Sequence, residues 1–485
     1  MLFNSYLFIF AFLPVVLLVY WAARGHHRLE LALAWLTLAS LLFYGWWKPA
    51  YLWIIMGSMI GNYLFGQALA RSHSRALLAL GVSLNLALLG YYKYTNFLVD
   101  NVNIALSTNF HLDTILLPLA ISFFTFQQIA YLVDTYQSKT QEYRFLHYCL
   151  FVVFFPQLIA GPIVHHRETI PQFLKPLPAS DFASHLSVGL TLFIIGLFKK
   201  VVLADTLAES ATPVFALADA GSAISTRDAW FAALAYTFQL YFDFSGYSDM
   251  AIGLARMFGV VLPMNFFSPY KATNIIDFWR RWHITLSRFL RDYLYIPLGG
   301  NRSGPLLRYR NLFITMLLGG MWHGAGWNFL IWGALHGTYL VLNHGHHFLC
   351  RRFSFPTGGR LYRGLAWLLT FVAVVVAWVY FRAETLHGAH TLLSAMAGLG
   401  VHTENTLPTN DMNPIVIALL ISLLAPSSLQ MLADFKPVLD GIGPQSSHVR
   451  LRWRPSFWWA LGLSLFGAYA IMDMAKVSEF LYFQF

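Results

Sequence analysis

Residues 1–23, MLFNSYLFIFAFLPVVLLVYWAA, carry no Lys, Arg, Asp or Glu. So apolar a run covers the roughly 20 residues that a helix needs to cross the hydrocarbon of a bilayer. No basic residue precedes it, it is longer than a signal-peptide core, and no convincing small-residue cleavage motif follows. It reads as a retained first transmembrane helix. Working outward, comparable runs lie near 29–47, 50–69, 76–93, 114–133, 145–164, 184–204 and 228–257, then near 312–346, 364–381, 413–432 and 456–475. These predict an all-α, polytopic integral membrane protein of roughly a dozen helices, since only helices or closed barrels satisfy their backbone in lipid. The 274–298 and 312–346 regions are less regular. Both fit short, tilted or re-entrant helices, tolerated where protein or water surrounds them.

Composition agrees with the runs. Of 485 residues, 57% are hydrophobic and 11% charged, and the mean hydropathy is +0.55. An ordinary soluble domain has about 25% charged residues. The net charge of +10 would raise nucleic acid as a partner in a soluble protein. Here it reads as basic loops on the cytoplasmic side, with membrane lipid as partner and no nucleic-acid module. Cys149 and Cys350 have neither metal nor redox spacing, so no metal site is predicted.

Loop charges suggest an orientation. Arg24 with Arg28, Arg71 with Arg75, and Lys139 with Arg144 mark alternate loops as cytoplasmic. Arg351, Arg352, Arg360 and Arg363 mark another, and Lys436, Arg450, Arg452 and Arg454 a further one. The segment 398–413, GLGVHTENTLPTNDMN, has no Lys or Arg and reads as external, which puts both termini outside. Lys199 and Lys200 read as the end of a helix at the cytoplasmic interface. The segment 165–182, HHRETIPQFLKPLPASDF, is the main Pro-rich interruption. No loop is long and polar enough for a second soluble domain, so 1–485 reads as one membrane domain.

Ionisable residues inside membrane segments are costly and mark function by default. They concentrate between Tyr236 and Tyr339. In 278–292, FWRRWHITLSRFLRD, a continuous helix would put Arg280, His283, Ser287 and Arg291 on one face and Arg281, Thr285, Arg288 and Asp292 on its neighbour. The arginines fit either an interfacial helix snorkelling toward headgroups or a binding face for an anionic cofactor's phosphates. In 317–337, LLGGMWHGAGWNFLIWGALHG, glycines flank His323, and the apolar setting favours a neutral imidazole. Such a ring can take a proton from a hydroxyl, a role worth about 10²–10⁴ in rate; the alternative is a packing histidine, which is also the simpler reading of His336. Asp243, Asp249 and Gln127 read as structural polar groups bonding helix to helix, with a catalytic aspartate dyad as the alternative for the first two. There is no zinc signature, P-loop or serine nucleophile elbow.

At these residues the chain resembles the membrane-bound O-acyltransferase (MBOAT) superfamily, in its bacterial alginate O-acetylation branch. The resemblance runs from MLFNSYLFIF through SFFTFQQIAYLVD, FPQLIAGPI, GLFKKVVLAD, YTFQLYFDFSGYSDMAIGLARMFG, the WRRWH and MWHG segments, WGALHG and AWVYFRAET to the terminal EFLYFQF. It implies a ring of helices around a central tunnel, with a catalytic core near 114–346 and C-terminal helices near 364–475. It implies His323 as catalytic residue with His283 as partner, and leaves His336 as a secondary candidate. Arg280, Arg281, Arg288 and Arg291 would hold the phosphates of acetyl-CoA, a donor substrate and no permanently bound cofactor. The acetyl group would pass through the inner membrane of a bacterium to a hydroxyl on a polysaccharide such as alginate or cellulose, or on a periplasmic or membrane-anchored esterase-like partner within an exopolysaccharide synthesis complex. D-alanyl transfer for teichoic acids is a more distant branch.

Two other classes compete. A transporter or proton channel would use the same histidines and aspartates as a relay, but the inverted repeats common in transporters are not evident. A noncatalytic scaffold is opposed by the intact WRRWH and MWHG motifs.

Overall fold

The computed structural model describes residues 1–26, 28–138, 144–302, 304–401, 412–441 and 449–475. Lys139, most of the polar segment 398–413 and the terminal EFLYFQF lie outside the described residues. Among those described there is no β-strand. Five helical runs are long and apolar enough to cross a membrane: Phe8–Gly25, Tyr51–Ser72, Arg75–Leu106, Phe182–Asp219 and Arg360–Arg382. Leu29–Gly45, Asn413–Leu424 and Phe457–Asp473 are shorter apolar helices. The chain is an all-α, multi-pass membrane protein.

The described residues form two compact units, interleaved in sequence. The first comprises Met1–Leu197, Tyr247–Met264 and Ser428–Met474. Its helix Leu13–Gly25 carries Pro14 in the first turn, where a missing N–H costs nothing. Ser74 caps Arg75–Leu106 by accepting from the Leu77 N–H. That helix is tied to Tyr51–Ser72 by a reciprocal amide pair: Asn85 Nδ2 donates to Asn62 Oδ1 at 2.6 Å, and Asn62 Nδ2 donates back at 3.1 Å. A buried pair of this kind satisfies both amides and fixes the two helices in register. Asp249 accepts from the Ser428 hydroxyl at 2.6 Å. Gln127 is buried in the helix Ile121–Tyr136.

The second unit comprises Phe198–Gly246 and Asn265–Ser427 among the described residues. Its core packs Phe215, Tyr236, Phe238, Phe278, Trp282, Trp332 and Trp378 together. The helices Pro305–His323 and Trp327–Arg352 form a tight hairpin.

The structure revises several boundaries. The run at 114–133 becomes helical only at Ile121, after Ala120 turns left-handed. The run at 145–164 breaks at Phe154 into Phe145–Val153 and Phe155–Leu158, because the Pro156 ring prevents one helix from passing through. The Pro-rich interruption holds a helix, His166–Leu174, started by a capping box of His165 and Glu168. Lys199 and Lys200 do not end a helix. They open a π-helical turn, Lys199–Ala204, within the run Phe182–Asp219. Lys200 is buried, with its Nζ 2.7 Å from both Asp205 and Asp243. A charge that two carboxylates neutralise no longer needs the interface.

Candidate active site

The segment 278–292 is not the single helix that its spacing suggests. Asn274 caps a short helix, Ile275–Trp279, and a second helix, Ile284–Leu290, begins after His283, whose φ is +42°. A histidine in the left-handed region is uncommon, and such positions need support from their surroundings. Asn265 supplies it. Its carbonyl accepts from the Ile284 N–H at 2.9 Å. Its side-chain Oδ1 accepts from the Thr285 hydroxyl at 2.9 Å and lies 3.0 Å from His283 Nδ1. An oxygen that also faces the Thr285 N–H is an acceptor, so the network assigns the His283 proton to Nδ1. Nε2 then carries the lone pair. It is buried and has no hydrogen-bond partner among the described residues.

His323 reaches the same place from the hairpin. It is the last residue of Pro305–His323, and Gly324 leaves the helix in an extended conformation. The hairpin closes this tightly because Gly333 faces the other helix: a Cβ there would lie 2.5 Å from the Met316 carbonyl oxygen and 3.2 Å from the Gly320 Cα. Glycine spacing thus delivers His323 to the core.

His283 and His323 line one narrow cavity of about 10 Å³, with Leu240, Phe244, Trp282, Trp378 and Phe381 as its walls. That volume is on the scale of a single water. The Phe244 ring stands edge-on to His283 at 4.8 Å, and Trp332 and Phe381 each lie 5.1 Å from His323. Two imidazoles therefore share a small space enclosed by aromatic and aliphatic walls. Such a setting strengthens every interaction with developing charge and excludes competing water.

The other candidates fall elsewhere. His336 is fully buried but does not line this cavity. Its Nδ1 accepts from the Trp279 indole N–H at 3.3 Å, and it stacks on Phe278. Arg281 is paired with Asp277 at 2.9 Å, and Arg291 with Asp292 at 2.7 Å. Arg280 is exposed and Arg288 half-buried. None of the four lines the cavity, and the break at His283 removes the shared helical face. Asp243 faces Lys200, while Leu240 and Phe244 of the same helix form cavity wall. Asp243 thereby ties its helix to the Lys199–Ala204 turn through Lys200.

Sequence reasoning missed Asn265 and the buried role of Lys200. An asparagine within the apolar stretch VLPMNFF is the only signal for the first.

The sequence pattern of the MBOAT, membrane-bound O-acyltransferase family matches residues 75–383. The chain is 48% identical over 429 residues to a peptidoglycan O-acetyltransferase of Helicobacter pylori, covering 82% of this chain and 80% of that one. It is 41% identical over 504 residues to a probable alginate O-acetylase AlgI of Pseudomonas putida, covering 100% of both. Similarity to a teichoic acid D-alanyltransferase of Streptococcus thermophilus is weaker, 27% over 235 residues, covering 46% of this chain and 56% of that one.

Proposed function

Because the chain belongs to the membrane-bound O-acyltransferase family and is an O-acyltransferase, we propose that it moves an acetyl group from cytoplasmic acetyl-CoA to a hydroxyl of a cell-envelope polysaccharide, across the inner membrane of a bacterium. The observation that carries the reading is the shared cavity of His283 and His323. The two imidazoles meet among apolar walls, where CoA phosphates are too polar to follow.

In this reading His323 removes the proton of the acceptor hydroxyl as its oxygen attacks the thioester carbonyl. The carbon–sulfur bond breaks, the new ester leaves with the acetyl group, and the CoA thiolate takes up the proton. His283 is the partner imidazole, its lone pair on Nε2 because Asn265 holds the proton on Nδ1. Arg280, exposed and three positions before His283 in the chain, and Arg288 contribute positive charge toward the donor's phosphates.

The relatives' names suggest two acceptors, peptidoglycan and alginate; a periplasmic or membrane-anchored esterase-like protein would then relay the group where the polymer is not acetylated directly. Proteoliposomes given radiolabelled acetyl-CoA and fragments of each polymer, with and without an envelope extract, test the reading. Label should appear as base-labile ester on one polymer and be absent with His323→Ala. Label on neither polymer and on no extract protein would refute it.

A further inference from the structure

A second cavity, of about 820 Å³, lies in the same unit, away from the His283–His323 pair. It falls within the size range of small-molecule sites. It runs between the C-terminal half of Trp327–Arg352 and the N-terminal half of Arg360–Arg382. The two ends of its lining differ. Leu342, Leu365 and Leu369 form an apolar wall, and all three are also strongly exposed on the outside of their helices, at 63%, 58% and 74%. The cavity therefore opens sideways along the apolar outer face of these two helices, the second of them long and apolar enough to cross a membrane. At the other end His346, His347 and Arg351 gather, with no Asp or Glu among the described lining residues. Arg352, Arg360 and Arg363 stand beside that end in sequence. Arg360–Arg382 also starts there without a side-chain cap, so its first N–H groups add positive potential. Asn343, in the middle of the lining, has a buried Oδ1 with no hydrogen-bond partner among the described residues.

The cavity joins an apolar, outward-facing wall to a basic end, with the buried Asn343 Oδ1 between them. We propose that it is a binding site for a phosphate-bearing membrane lipid. One acyl chain lies along Leu342, Leu365 and Leu369. The phosphate sits against Arg351 and His347, and a glycerol or headgroup hydroxyl donates to Asn343. The basic loop places the phosphate in the cytoplasmic leaflet, where anionic headgroups and Lys or Arg attract. The site needs no acetyl transfer to exist.

Cys350 lines this cavity and is partly exposed, whereas Cys149 is buried, so maleimide alkylation of the intact protein in dodecyl maltoside reports on occupancy. Dihexanoyl-phosphatidylglycerol should slow Cys350 labelling saturably. Replacing Arg351→Ala together with His347→Ala should raise the concentration needed by about tenfold or more, the loss of charge-assisted hydrogen bonds. Both side chains are exposed, so folding should be retained; Leu369→Trp, which fills the apolar end, is the independent second variant and should likewise raise the concentration needed. The proposal is overturned if the lipid gives no protection, if the concentration needed is unchanged in both variants, or if acetyl-CoA protects and the lipid does not, which would make the cavity a donor vestibule.

Discussion

The Nδ1 of His283 lies 3.0 Å from the Oδ1 of Asn265, a residue eighteen positions earlier in the chain that also accepts from Thr285. This oxygen fixes the imidazole's tautomer and orientation, while the Asn265 main-chain carbonyl, accepting from the Ile284 N–H, supports the left-handed backbone beneath it. Positioning contacts of this kind typically change activity by about 10–100-fold when removed.

Asn265→Ala should therefore lower kcat by roughly 10–100-fold and leave the donor KM nearly unchanged. Asn265→Asp keeps an acceptor for Nδ1 and should recover much of the rate. Steady-state acetyl transfer measures both. A general folding defect would instead lower the amount of active enzyme in both variants, with no rescue.

Lys200 stands 2.7 Å from Asp205 and from Asp243, with Lys200 and Asp243 almost fully buried. Removing one partner of a buried pair costs about 3–5 kcal/mol. Lys200→Met should lower the thermal midpoint in detergent markedly, and Lys200→Met with Asp243→Asn should regain part of the loss. Equal midpoints for the single and double variants would contradict the ion pair's role.

Gly333→Val places two methyl groups where a Cβ alone would already be 2.5 Å from the Met316 carbonyl oxygen. The hairpin must open, at a cost of about 1–3 kcal/mol or more, and His323 must move with it. Activity should fall further than stability. A variant that melts normally and transfers normally would show that the close crossing is not what positions His323.

His336 lies outside the lining of the His283–His323 cavity and accepts from the Trp279 indole N–H. His336→Phe should keep kcat within about threefold of the wild type while losing roughly 1–3 kcal/mol of stability, because the indole N–H loses its acceptor. A collapse of kcat at normal stability would return His336 to the catalytic machinery.

Much of this was legible in the sequence, for identifiable reasons. Helices such as Phe8–Gly25 and Tyr51–Ser72 are apolar along most of their length, and 20-residue runs report them directly. The helices that carry Asp243, Asn311, His323 and His336 are not: these side chains are buried in protein, so they depress hydropathy without being expelled from the fold. This is why the helices Thr226–Met257 and Pro305–His323 are absent from the strongly apolar spans. His283 and His323 could be named because their motifs survive in one dimension. The pairing of Asn265 with His283 could not, because helical spacing assumes a continuous helix where the backbone turns left-handed. Lys200 misled for a related reason: a lysine at the end of an apolar run looks interfacial until its two carboxylates, one of them 43 positions later at Asp243, are seen beside it.

The most direct measurement is single-turnover acetyl transfer by purified His323→Ala in proteoliposomes, beside wild type, with insertion checked by melting and with CoA release recorded. The account predicts a rate at least about 10²–10⁴-fold slower, with the variant folded and the His283 site intact. Transfer at the wild-type rate would contradict it.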